Sequence, residues 1–197
     1  MWRYWLNDGI LQVKMKKVVV IASGEGSNFS AIVKSGITVD RVITDNPTAN
    51  VIRRAENVNV PVVVVAKKEE YTQKPDNRRS AYIDENIPED TGLIVLAGYC
   101  RILAPWFCKK WEGKIINVHP SLLPAFAGTM HAIEETWNYG CKVFGVTIHW
   151  VTTEVDAGKI IAQKCIHLQE DDTLETITTK IHTLEWFLYP EAIRKLL

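Results

Sequence analysis

Asn117 and His119 stand two residues apart at the end of an apolar run, "GKIINVHP". Alternation along a strand puts both side chains on one face, and Pro120 ends the run at once. The loop that follows, "PSLLPAFAG", is stiffened by Pro120 and Pro124. Further on, "TTEVDAGKII" places Asp156 in a glycine-flanked loop between two apolar stretches, where a carboxylate can reach back. An amide, an imidazole and a carboxylate together suit acyl chemistry. The amide can donate to an oxygen that gains negative charge. The imidazole can move a proton, and a carboxylate beside it orients the ring and favours its charged form. No Ser or Cys sits in an elbow motif, and Cys100 precedes Arg101 rather than a base. Direct transfer between two bound substrates is therefore favoured over a covalent acyl-enzyme. His131, His149 and His167 read as structural or exposed, without zinc-ligand spacing.

A second chemical signal lies near the start. "IASGEGSNFSAIV" turns from strand to helix through Ser23, Gly24, Glu25, Gly26, Ser27 and Asn28. Glycines permit close backbone approach, and the free N–H groups at a helix start carry partial positive charge. A dinucleotide fingerprint would need a third glycine where Phe29 stands, although Asp45 offers an acid about twenty residues on. A site for one phosphate needs only the amides of Gly26, Ser27 and Asn28. A tight turn that binds nothing is the third reading.

Two element types alternate around these residues. Strands are expected at 16–23, 39–45, 61–66, 92–98 and 114–119. Helices are expected at 27–35, 48–57, 78–86 and 131–139, with a helix-like turn at 103–111. A late strand pair at 143–151 and 159–168 precedes a closing helix from about 173, capped by Asp172 with Glu175 three residues on. This pattern implies a single α/β domain, a doubly wound, mostly parallel, Rossmann-like sheet. Ligands on such a sheet collect at the carboxyl ends of the strands, where the strand order reverses.

Composition narrows the class. The 197 residues suit one large domain, and 23 basic residues balance 23 acidic ones, which gives no basic tract for nucleic acid or membrane. No run approaches the length of a membrane-spanning helix, and the N-terminus lacks a secretory pattern. Cys100, Cys108, Cys141 and Cys165 form no CxxC pair, so reduced thiols in a cytoplasmic protein are expected.

On "SGEGSNFSAI", "LAGYCRIL", "INVHPSLLPAF", "GVTIHWVTTEVDAGKII" and "HTLEWFLYP" the chain resembles the phosphoribosylglycinamide formyltransferases, a folate-dependent family of purine synthesis. The likeness runs from about Lys17 to Pro190. It implies Asn117, His119 and Asp156 as the catalytic trio. It implies Gly26, Ser27 and Asn28 on the phosphate of glycinamide ribonucleotide, with His182 and Glu185 at that substrate's ribose and amine region. It implies a pocket for the co-substrate 10-formyltetrahydrofolate at Cys100, Arg101, Ile102, Leu103 and Asn117, with Thr152, Thr153, Glu154, Val155 and Asp156. Arg79, or its neighbour Arg78, matches an arginine that contacts the folate. The partners implied are small molecules, without metal, nucleic acid or membrane, and a homodimer stays open.

Three departures from the family stand out. Ala127 replaces a usual proline, one residue is inserted near Met130, and the chain ends at Leu197 without a strand-bearing tail. Residues 1–14 read as an N-terminal extension before a formyltransferase domain at 15–197, with Met15 as an alternative start. A methionyl-tRNA formyltransferase would call for a further C-terminal domain and a basic surface. A formyltetrahydrofolate hydrolase would leave the glycine-rich loop without a task. A non-catalytic nucleotide-binding module would bind phosphate without needing His119 or Asp156.

Overall fold

The first apolar run is buried on both sides. In the computed structural model, which describes residues 16–65 and 75–197, β1 (Lys17–Ile21) lies inside a seven-stranded sheet. Val18, Val19, Val20 and Ile21 have no exposed surface, as expected of a strand covered by helices on both faces. β1 pairs in parallel with β2 (Arg41–Thr44) and with β4 (Thr91–Leu96). β3 (Val62–Val64) extends the sheet beyond β2, and β5 (Ile115–His119) extends it beyond β4, again in parallel. β6 (Val143–Trp150) and β7 (Ile160–His167) complete the other edge as antiparallel strands. The order is β3-β2-β1-β4-β5-β6-β7. The chain leaves β1 in one direction and returns beside it as β4, so the strand order reverses between those two strands, and a crevice opens at their carboxyl ends.

Alternate residues of β1 feed two cores. Val18 and Val20 join Phe29 and Ile32 of α1 (Ser27–Lys34), Val51 and Ala55 of α2 (Asn50–Glu56), Ile133 of α5 (Ala132–Asn138), and Ile177 and Ile181 of α6 (Leu174–Leu196). Val19 and Ile21 join Ile83 of α3 (Asn77–Glu85) with Phe107 and Cys108 of α4 (Pro105–Lys110). Tyr189 of α6 is fully buried, and its hydroxyl lies 2.9 Å from the Leu96 carbonyl and 3.1 Å from the Ile116 carbonyl. It therefore fixes α6 against the end of β4 and the start of β5.

One expected cap is displaced by a residue. Thr173, not Asp172, caps α6: its side chain accepts from the Thr176 amide, and the Thr176 hydroxyl accepts from the Thr173 amide. Asp172 accepts instead from Lys180 and the Gln169 amide, contacts that hold its carboxyl down at about 2. The expected extension at 1–14, Met15 and most of the polar stretch at 67–77 lie outside the described residues. Among the described residues no helix is long and apolar enough to cross a membrane. The four cysteines are free thiols.

Candidate active site

Period-two alternation on β5 turns Asn117 and His119 toward the crevice. Asp156 reaches them from the turn between β6 and β7. That turn is tight: a Cβ on Gly158 would collide with the Trp150 carbonyl, so only glycine fits two residues beyond the aspartate. Asp156 itself takes the left-handed conformation, φ 53°, which Asp tolerates better than most residues. Asp156 Oδ2 lies 3.4 Å from His119 Nδ1 and accepts from the Gly128 amide at 2.9 Å. His119 Nε2 lies 2.9 Å from the Phe126 carbonyl, an acceptor only, so Nε2 carries the hydrogen it donates there. The loop after β5 thus holds the imidazole and the carboxylate together: Phe126 grips one, Gly128 the other. That loop is pinned from beneath by Thr147 Oγ1, which donates to Ser121 O and accepts from the Leu123 amide.

His149 belongs to this cluster, contrary to the expectation of a structural or exposed residue. It is buried on β6, directly opposite Asn117 in the antiparallel register. Its Nδ1 donates to the Trp150 carbonyl at 3.0 Å. Burial pushes its pKa below the usual histidine value, which favours the neutral ring with a free lone pair on Nε2. The Asn117 amide nitrogen, 3.3 Å away, donates to that lone pair. One amide hydrogen of Asn117 is thereby fixed, and the second remains for a ligand.

The glycine turn after β1 leads into α1 through Gly26. Gly26 has φ 72°, and a Cβ there would sit 2.7 Å from Val51 Cβ on α2. The glycine is thus required first by close packing of loop on helix. α2 also grips the loop from outside, with Arg54 Nε donating to the Glu25 carbonyl at 2.6 Å and Asn50 to the Glu25 carboxylate. The first amides of α1 have no intrahelical acceptor, as at any helix start, and Gly26, Ser27 and Asn28 line the crevice. Asn28 on that first turn donates 3.0 Å to Glu185 Oε2 of α6. His182 Nδ1 lies 3.4 Å from the same oxygen, and this contact raises the His182 pKa despite partial burial. Glu185 is itself 5% exposed, a buried carboxylate held by an amide and an imidazole.

These groups share one cavity of about 550 Å³. Gly26, Ser27, Asn28, His182 and Glu185 line it, and so do Asn117, His119, His149 and Asp156. Cys100, Arg101, Ile102 and Leu103, with Thr152, Thr153, Glu154 and Val155, complete the lining. Arg79 does not line it. That side chain is buried on the first turn of α3, its Nη1 3.4 Å from Asp76 Oδ2 and its Nε 4.0 Å from Asp45 Oδ2. Arg78 is exposed on the same turn. The acid at the end of β2 also has partners other than a ribose: Asp45 accepts from Ser23 at 2.7 Å and from Arg101 at 2.9 Å.

Residues 16–193 match the formyl transferase family model. The chain belongs to the formyl transferase family. It is 43% identical over 189 residues to the phosphoribosylglycinamide formyltransferase of Bacillus subtilis (strain 168), covering 93% of this chain and 95% of that one. The crystal structure of phosphoribosylglycinamide formyltransferase from Streptococcus pneumoniae TIGR4 superposes with a TM-score of 0.85 at 39% identity, covering 92% of this chain and 99% of that one. The corresponding structure from Bacillus halodurans gives a TM-score of 0.84 at 41% identity, covering 92% of this chain and 95% of that one. Every cavity-lining residue of this formyl transferase falls inside the matched segment.

Proposed function

We infer that the chain transfers a formyl group from 10-formyltetrahydrofolate to the amine of glycinamide ribonucleotide. The observation that carries this reading is one cavity that joins a helix start, an Asn-His-Asp cluster, the turn 98–103 and the loop 152–155. Such a cavity seats two small molecules end to end with their reacting groups in the middle. The amides of Ser27 and Asn28 receive the phosphate, where the helix start favours an anion. Glu185, fixed by Asn28, faces the ribose and amine region together with His182. The turn 98–103 and the loop 152–155 hold the folate, whose formyl carbon is the group transferred.

At the centre, Asn117 directs its free amide hydrogen at the formyl oxygen, which gains charge as the amine adds. His149 keeps that amide oriented by accepting its other hydrogen. The His119 Nε2–H, otherwise taken by the Phe126 carbonyl, turns to the same oxygen as a second donor, while Asp156 holds Nδ1. Asp156 moves the proton released by the amine, through water, to the leaving folate nitrogen. Both substrates are positioned before any bond changes, so no acyl-enzyme is required.

The test follows the transferred carbon. Enzyme is incubated with folate bearing an isotopically labelled formyl group and with glycinamide ribonucleotide. Label recovered in the formylated ribonucleotide is the expected result, and label recovered only as formate overturns it.

A further inference from the structure

We propose that Asp45 and Ser23 are positioning residues for the folate, acting through the turn at 98–103; this rests on the reading above. Asp45 follows β2 directly, one strand beyond β1, and its side chain is 1% exposed and does not line the cavity. It nevertheless holds the cavity wall at two points. Oδ2 accepts from Arg101 Nε at 2.9 Å. Oδ1 accepts from Ser23 Oγ at 2.7 Å, and Ser23 Oγ in turn accepts from the Cys100 amide at 3.1 Å. The Ser23 amide completes the clamp by donating to the Gly98 carbonyl at 3.0 Å. Consecutive residues of the turn, Cys100 by its backbone and Arg101 by its side chain, are thus tied to one buried carboxylate.

The charge arrangement explains why an acid is needed there. Arg101 and Arg79 both point at Asp45, and Arg79 is shared with Asp76, the N-cap of α3. Two carboxylates alternate with two guanidinium groups, so each buried charge faces its opposite. An amide in place of Asp45 could serve Ser23 or Arg101 well, but not both, because only one of its two polar atoms accepts. The turn would then lose one tie, and the guanidinium groups would lose the charge that draws them inward. The Asn28, Glu185 and His182 side chains of α1 and α6 take no part in these hydrogen bonds.

The test uses tetrahydrofolate and glycinamide ribonucleotide as separate probes in calorimetric titrations of the wild type, Asp45→Asn and Ser23→Ala. Expected is a loss of about tenfold in tetrahydrofolate affinity for each variant, the size of one charge-assisted hydrogen bond, with ribonucleotide affinity unchanged. The double variant is expected to lose less than the product of the single losses, because both act on one tie. Ser23→Thr, which keeps the hydroxyl, is expected to restore binding. Unchanged tetrahydrofolate affinity in folded variants, or equal loss of both ligands, overturns the proposal. Should Asp45→Asn fail to fold, Ser23→Ala and Ser23→Thr decide alone. A wild type that does not bind tetrahydrofolate would instead refute the functional reading on which the proposal rests.

Discussion

His149 Nε2 lies 3.3 Å from the Asn117 amide nitrogen and 3.6 Å from Asp156 Oδ1, which places one neutral ring between the two polar groups on either side of the reacting centre. Removing it should loosen Asn117 without removing a binding contact. His149→Ala is expected to lower kcat by about tenfold, the scale of one neutral hydrogen bond in a transition state, with KM for either substrate little changed. Steady-state kinetics with each substrate varied in turn checks this. A KM effect with unchanged kcat would assign His149 to binding instead.

The trio should separate by size of effect. Asn117→Ala removes a donor to the developing oxyanion and should cost roughly 10²–10³ in kcat. His119→Ala should cost on the order of 10²–10⁴. Asp156→Asn preserves the shape and tolerates the left-handed backbone at that position, so its loss of rate reports chemistry rather than folding. Near-wild-type turnover for Asp156→Asn would remove the carboxylate from the mechanism.

The phosphate assignment is best tested at Asn28. Asn28→Asp sets a carboxylate against Glu185 and beside the anion site. KM for glycinamide ribonucleotide should rise by about tenfold or more, while tetrahydrofolate binding measured alone stays unchanged. Gly26 is the wrong place for this test. Its positive φ and its contact with Val51 mean that Gly26→Ala should lower stability by more than about 1 kcal/mol, visible as a lower Tm before any ligand is added.

Two histidines should titrate on opposite sides of the usual value. Burial depresses His149, so its ring stays neutral in the native state while the unfolded chain gains a proton near pH 6.5. The stability that depends on neutral His149 is therefore present above that pH and is lost as pH falls below it. His182 is raised, chiefly by its hydrogen bond to Glu185. Its contribution is present below the unfolded value and is lost as pH rises through the folded one. NMR titration of the imidazole signals separates the two, and Glu185→Gln should bring His182 back toward the ordinary value while leaving His149 in place.

Much of this site was legible because period-two alternation and a proline stop are local signals. Asn117 and His119 had to share a face, and Pro120 had to end the strand beside the crevice. The glycine turn before Ser27 was equally visible, although its tightest constraint, Val51 packed on Gly26, comes from α2 and not from a ligand. His149 was not legible in the same way. Its role depends on the antiparallel register of β6 against β5, which no single stretch of sequence fixes. Arg79 shows the opposite failure, because a long side chain on a short helix goes where tertiary charges draw it, here to Asp45 and Asp76. Asp172 and Thr173 are both good capping residues in adjacent positions, so the sequence left the cap of α6 undecided by one residue.

Formyl transfer to a ribonucleotide is tested most directly by acceptor dependence. Enzyme and 10-formyltetrahydrofolate are mixed with glycinamide ribonucleotide, with an aminoacyl-tRNA, or with neither, and release of the deformylated folate is followed by absorbance. Rapid release only with glycinamide ribonucleotide is the expected result, and release that is as fast without any acceptor would identify a hydrolase and contradict the assignment.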